Sequence, residues 1–109
     1  MKGIKVYWTP FALSCLTQIH RYIAEEAKSP ATALKFAAKI ISRTDQLEFF
    51  PESGQKEILL QEIGQDSRYL VVNSYKIIYE YHAKENLVII TDIFHTKQNP
   101  KKVIKKHGK

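Results

Sequence analysis

Apolar and polar residues alternate over residues 4–8, with Ile4, Val6 and Trp8 on one face and Lys5 and Tyr7 on the other. A period of two predicts a short strand. At Thr9-Pro10 the period changes. Threonine followed by proline reads as a helix cap with proline at the first helical position. Ala12, Cys15, Leu16, Ile19, Tyr22 and Ile23 then recur on one helical face, and Gln18, Arg21, Glu25 and Glu26 take the other. Ser29-Pro30 repeats the cap and starts a second helix, whose stripe is Ala33, Leu34, Ala37, Ile40, Ile41, Thr44 and Leu47. Only a few residues separate the two helices, which predicts an antiparallel hairpin. Phe49-Phe50-Pro51-Glu52-Ser53-Gly54 closes the second helix with two aromatic anchors and a turn.

Beyond that turn the pattern becomes strand-like. Residues 56–61 are weakly extended, and residues 68–72 and 75–81 are rich in aromatic and β-branched side chains. Asn73-Ser74 is a tight turn between the latter two. Residues 87–94 form the most apolar strand, and their lack of alternation predicts a central strand covered on both faces. The order is β-α-α-β-β-β. It predicts an α+β fold in which a helical hairpin packs on a mostly antiparallel sheet. With 109 residues and no repeat or linker, residues 1–109 read as one domain, large enough to bury a core without staples.

Charge changes this picture at one end. Residues 1–96 hold eleven Lys and Arg against eleven Asp and Glu. Residues 97–109 hold six lysines (Lys97, Lys101, Lys102, Lys105, Lys106 and Lys109) and no acid, so the formal net charge of +6 lies entirely there. A neutral body with a basic end suits an acidic partner or phosphate; a solubilising tail is the plainer alternative. The single cysteine, Cys15, excludes an internal disulfide framework and fits a reducing compartment. The start MKGIKVYWTP has no apolar run of signal-peptide length, and no segment reaches a membrane span. A soluble cytoplasmic protein without membrane contact is expected. His20, His82 and His107 have no partners at metal-ligand spacing, and there is no Gly-rich phosphate loop. Neither a metal nor a cofactor is expected.

The candidate chemistry lies in residues 68–100, which carry Arg68, four tyrosines and His95. Arg68, at the start of a strand, could grip a phosphate or carboxylate in bidentate fashion, or form a surface ion pair. His95, at a strand end, could donate a proton to a leaving oxygen, or fix the tail by a hydrogen bond. Tyr75, Ile77, Tyr79 and Tyr81 share one strand face. They could stack on bases, but Tyr79 and Tyr81 read as packing, with Tyr75, beside the turn, more open. Cys15 lies on the core stripe and reads as packing.

Laid out in this order, the chain resembles the RelE/ParE superfamily, the toxins of type II toxin–antitoxin modules. The likeness runs from about residue 5 to residue 103. It rests on Trp8-Thr9-Pro10 before Ala12-x-x-Cys15-Leu16-x-x-Ile19, on Leu47-x-x-Phe50-Pro51-x-x-Gly54, and on Arg68, Tyr75-Lys76-Ile77-Ile78-Tyr79, Phe94-His95 and Gln98-Asn99-Pro100. The His-x-x-Gln-Asn ending looks closer to the ParE branch, known for poisoning DNA gyrase, than to the RelE branch, which cleaves mRNA on the ribosome.

The resemblance implies two functions. A ParE-like toxin would inhibit gyrase without catalysis, with Arg68, Tyr75, Lys97, Lys101 and Lys102 as target-binding residues. A cognate acidic antitoxin would hold it inactive, and operator DNA would be met only through the antitoxin complex. A RelE-like endoribonuclease would use Glu57 as base, Arg68 to stabilise the phosphorane and His95 as acid. The middle strands carry only Arg68 and Lys76 as cations, where the ribonucleases usually carry several. That departure favours the gyrase reading. A non-toxic interaction module is the third reading.

Overall fold

The computed structural model describes residues 3–56 and 67–97. Strand β1 (Lys5–Trp8) leads into helix α1 (Pro10–Ala27) and helix α2 (Pro30–Arg43). A 3-10 turn (Asp45–Glu48) and the two-residue strand β2 (Gln55–Lys56) follow, then β3 (Arg68–Val72), β4 (Tyr75–His82) and β5 (Leu87–His95). The sheet order is β1-β5-β4-β3-β2. Among the described residues only β1 with β5 is parallel; the other pairs are antiparallel. This is the expected helical hairpin on a mostly antiparallel sheet, with β2 as an additional short edge strand.

Both predicted caps form. Thr9 Oγ1 accepts the Ala12 N–H at 3.0 Å, Ser29 Oγ accepts the Thr32 N–H at 3.2 Å, and a proline follows each cap. Each satisfies one of the amide donors that a helix start leaves without a partner. Lys28, with φ 51°, closes α1 in the left-handed region and turns the chain into α2. Asn73, with φ 52°, does the same in the two-residue β3–β4 connection, where Lys39 Nζ donates to its side chain at 3.1 Å. Asparagine tolerates this region better than most side chains, which is why Asn73-Ser74 reads as a turn.

The core lies between the hairpin and one face of the sheet. Ala12 and Ile19 of α1 and Ile40 of α2 meet Leu70, Val72, Ile77, Tyr79, Val88, Ile90 and Ile93 of the strands. Ile4, Val6 and Trp8 pack against the same cluster, as their alternation requires. On the opposite face Ile78 and Phe94 are buried with Tyr69 beside them, so the central strands are covered on both sides. The alternation of β5 is also broken by a bulge: Ile78 pairs with Asp92 and Tyr79 with Ile90, which leaves Thr91 without an opposite residue. The extra residue returns Ile93 and His95 to the helix-facing side.

Three expectations on the second helix need correction. The helix ends at Arg43, and Leu47 enters the core from the 3-10 turn that follows. Leu34 and Ile41 lie off the buried stripe and are exposed, whereas Phe36, absent from the predicted stripe, packs against the core. Phe49 and Phe50 are not anchors: they are 67% and 66% exposed, and the fully buried Leu47 does the anchoring. Burying a side chain such as Leu47 contributes about 1.5–3 kcal/mol, a gain the two phenylalanines largely forgo.

Candidate functional site: two ends of one sheet

The candidate residues separate into two groups at opposite ends of the helix-facing side of the sheet. Arg68 opens β3 and pairs in register with Tyr79. His95 ends β5 and pairs with Tyr75. Tyr75 and Tyr79 are four positions apart on the strand between them. That places Arg68 and His95 about 13 Å apart along the strands and about 9.6 Å across them. The two are therefore not brought together around one scissile bond.

At the arginine end the guanidinium is turned onto the preceding turn. Arg68 Nη1 donates to the carbonyls of Glu52 (3.1 Å) and Gly54 (2.9 Å), and Nη2 lies 3.5 Å from the Glu52 carboxylate. Tyr79, fully buried, accepts the Gly54 N–H on its phenol oxygen at 2.9 Å. Burial raises the Tyr79 pKa above the ordinary tyrosine value, partly offset by the Gly54 hydrogen bond and the nearby Arg68 charge. Arg68 and Tyr79 thus fasten the Pro51–Gly54 turn to the sheet. Glu52, Arg68, Tyr81 and Ala83 line a small cleft of about 250 Å³ beside it.

At the histidine end, aromatic rings meet. Tyr75 packs edge-on against His95 (centroids 5.1 Å apart) and at a tilt against Phe36 (5.7 Å). Burial and the neighbouring Tyr22 raise its pKa. His95 Nδ1 accepts the Lys97 N–H at 3.1 Å, so the neutral ring carries its proton on Nε2. This bond holds the first residue of the basic tail against the strand end, with the Lys97 side chain exposed. Two clefts of about 460 and 590 Å³ adjoin here and share Tyr22, Tyr75 and His95. Phe11, Ser14 and Gln18 of α1 extend the first, and Phe36 and Asn73 the second. Glu57, Lys101 and Lys102, like Gln98-Asn99-Pro100, lie outside the described residues.

One residue escaped the sequence reading. Asp92 is fully buried and accepts the Cys15 thiol, with Sγ and Oδ1 3.4 Å apart. The signal was an acid inside the mostly apolar run Ile89-Ile90-Thr91-Asp92-Ile93-Phe94, where burial is costly unless the carboxylate is hydrogen-bonded. Among the described residues no group of three His, Cys, Asp or Glu side chains is placed to hold a metal, and no helix is long and apolar enough to cross a membrane.

A family model described as "ParE toxin of type II toxin-antitoxin system, parDE" matches residues 6–100. The chain belongs to the ParE toxin family. It is therefore a toxin of the type II toxin–antitoxin class, within the RelE/ParE superfamily and on its ParE side. Among solved structures it is similar to a chain of the chromosomal ParDE system from P. aeruginosa. The TM-score is 0.68 at 16% identity, covering 87% of this chain and 98% of that one. It is also similar to a chain of the RelBE2 toxin–antitoxin complex from Mycobacterium tuberculosis, with a TM-score of 0.52 at 17% identity, covering 87% and 93%. At these identities the likeness shows the fold. No match was found among the curated proteins.

Proposed function

We propose that this ParE-family toxin arrests growth by binding DNA gyrase, without catalysing a reaction of its own, in the cytoplasm. The observation that carries this reading is the separation of Arg68 from His95. Ribonuclease chemistry of the RelE type needs a cation on the phosphorane and an acid on the leaving oxygen at the same phosphodiester. Here the cation is turned onto the carbonyls of Glu52 and Gly54, and the imidazole takes the Lys97 amide at the far end of the sheet. Each has a positioning role that accounts for its place.

In this reading the target contacts are Tyr75 and Lys97, with Lys101 and Lys102 continuing the positive charge, and Arg68 acts through the turn it holds. A cognate antitoxin neutralises the toxin by laying an acidic segment into the grooves between hairpin and sheet, where both clefts meet at Tyr22, Tyr75 and His95. The two similar structures come from toxin–antitoxin systems, which supports such a partner. Operator DNA is met through the toxin–antitoxin complex.

Induction of the toxin alone, with parallel pulse-labelling of DNA, RNA and protein, tests the reading. DNA synthesis should fall first, with filamentation and a DNA-damage response. An early block of protein synthesis with fragmented mRNA would instead establish the ribonuclease reading, and unimpaired growth a non-toxic interaction module.

A further inference from the structure

The Phe49–Phe50 turn is explained neither by the core nor by the clefts at the histidine end. Its backbone is fixed from several sides. The Gln46 carbonyl accepts the N–H groups of Phe49 (3.1 Å) and Phe50 (2.7 Å), and the Phe50 carbonyl accepts that of Ser53 (3.1 Å). Gln46 Nε2 donates to Ser53 Oγ at 2.7 Å, and Arg68 and Tyr79 secure residues 52–54. In this fixed turn both rings face outward. It displays two phenyl rings side by side, both about two-thirds exposed, over a shallow apolar hollow of about 400 Å³.

The charge around these rings is opposite to that of the chain as a whole. Residues 45–52 carry three exposed carboxylates, Asp45, Glu48 and Glu52, and no cation. Two arginines beside the segment are engaged: Arg43 with the Gln46 side chain and the Val71 carbonyl, Arg68 with Glu52 and the turn. The result is an aromatic patch with an acidic rim on a protein of formal net charge +6. An acidic rim repels nucleic acid and does not suit an acidic antitoxin segment. It complements a protein pocket that is apolar within and lined with Lys or Arg at its edge, where exposed aromatic anchors bind best.

We infer that residues 45–52 form a second docking surface, distinct from the groove the antitoxin would fill, and that its occupant is a basic-rimmed apolar pocket on the target protein. The inference rests on the gyrase reading and adds to the Tyr75–Lys97 end a second surface through which the target would be gripped.

The test measures binding of purified gyrase holoenzyme to the wild-type protein, to Phe49→Ser/Phe50→Ser and to Asp45→Lys/Glu48→Lys, with thermal unfolding of each variant as the folding control. The phenylalanine variant should lose at least about tenfold in affinity while unfolding like wild type, as removal of exposed hot-spot rings does. The charge-reversed variant should lose affinity most at low salt, since rim electrostatics are screened at high salt. Wild-type affinity in both variants would overturn the inference and leave the gyrase reading standing. No binding by the wild-type protein would overturn both. A wild-type dimer that the phenylalanine substitutions dissociate would make a second copy of this chain the occupant, and would also overturn it.

Discussion

The phenol oxygen of Tyr79 accepts the backbone N–H of Gly54 at 2.9 Å, in a place with no room for a side chain at residue 54. A Cβ there would lie 2.6 Å from that oxygen and 2.7 Å from the Tyr69 carbonyl. Gly54 is thus required by close approach of two strands and a buried phenol. Gly54→Ala is expected to lower stability by about 1–3 kcal/mol, the usual cost of overpacking. A urea denaturation midpoint unchanged from wild type would contradict this.

Tyr79→Phe removes the acceptor and leaves a buried amide without a partner, at a cost of about 1–3 kcal/mol near neutral pH. The pH dependence follows from the raised pKa of Tyr79. Below about pH 10 the folded and unfolded chains both hold the phenolic proton, and the contribution is fully present. As pH rises beyond that, the unfolded chain releases the proton first, so stability falls until the folded phenol ionises too. Tyr75 shifts in the same direction, so the loss should be reduced, not abolished, in Tyr79→Phe. Denaturation curves from pH 8 to 11 check the difference.

Arg68→Ala should cost about 1–2 kcal/mol by releasing the Glu52 and Gly54 carbonyls. Arg68→Lys should not restore the loss, because an ammonium lacks the planar fork that reaches both the turn and Glu52. Full stability in Arg68→Lys, measured by urea unfolding, would show that charge alone suffices.

If the toxin acts by binding as proposed, His95→Ala should leave growth arrest intact within a few-fold, because the imidazole fixes the Lys97 amide and packs on Tyr75 and no acid is needed. Growth curves under induction, with transcript mapping alongside, check this. Abolished toxicity together with loss of cleaved mRNA would assign His95 a catalytic role.

Most of the fold was legible because its signals are local. Thr9-Pro10 and Ser29-Pro30 mark caps that depend on adjacent residues, and the alternation of Ile4, Val6 and Trp8 declares its own buried face. The bulge at Thr91 was not legible, since it depends on register with β4. The exposure of Phe49 and Phe50 was also hidden. Hydrophobic side chains are read as buried by default, and the bonds from Arg68 and Tyr79 that help fix this turn depend on the folded sheet. For the site, residue type singled out Arg68, Tyr75 and His95 as candidates for binding or catalysis. It could not give their spacing, because four positions of strand register decide whether an arginine and a histidine can share a phosphate.

The central claim is that this toxin acts by binding gyrase. Its most direct measurement is supercoiling of relaxed plasmid by purified gyrase with increasing toxin. Inhibition should appear and should be reversed by the cognate antitoxin, while mRNA in a parallel translation reaction stays intact. Undiminished supercoiling at a large molar excess of toxin would contradict the account.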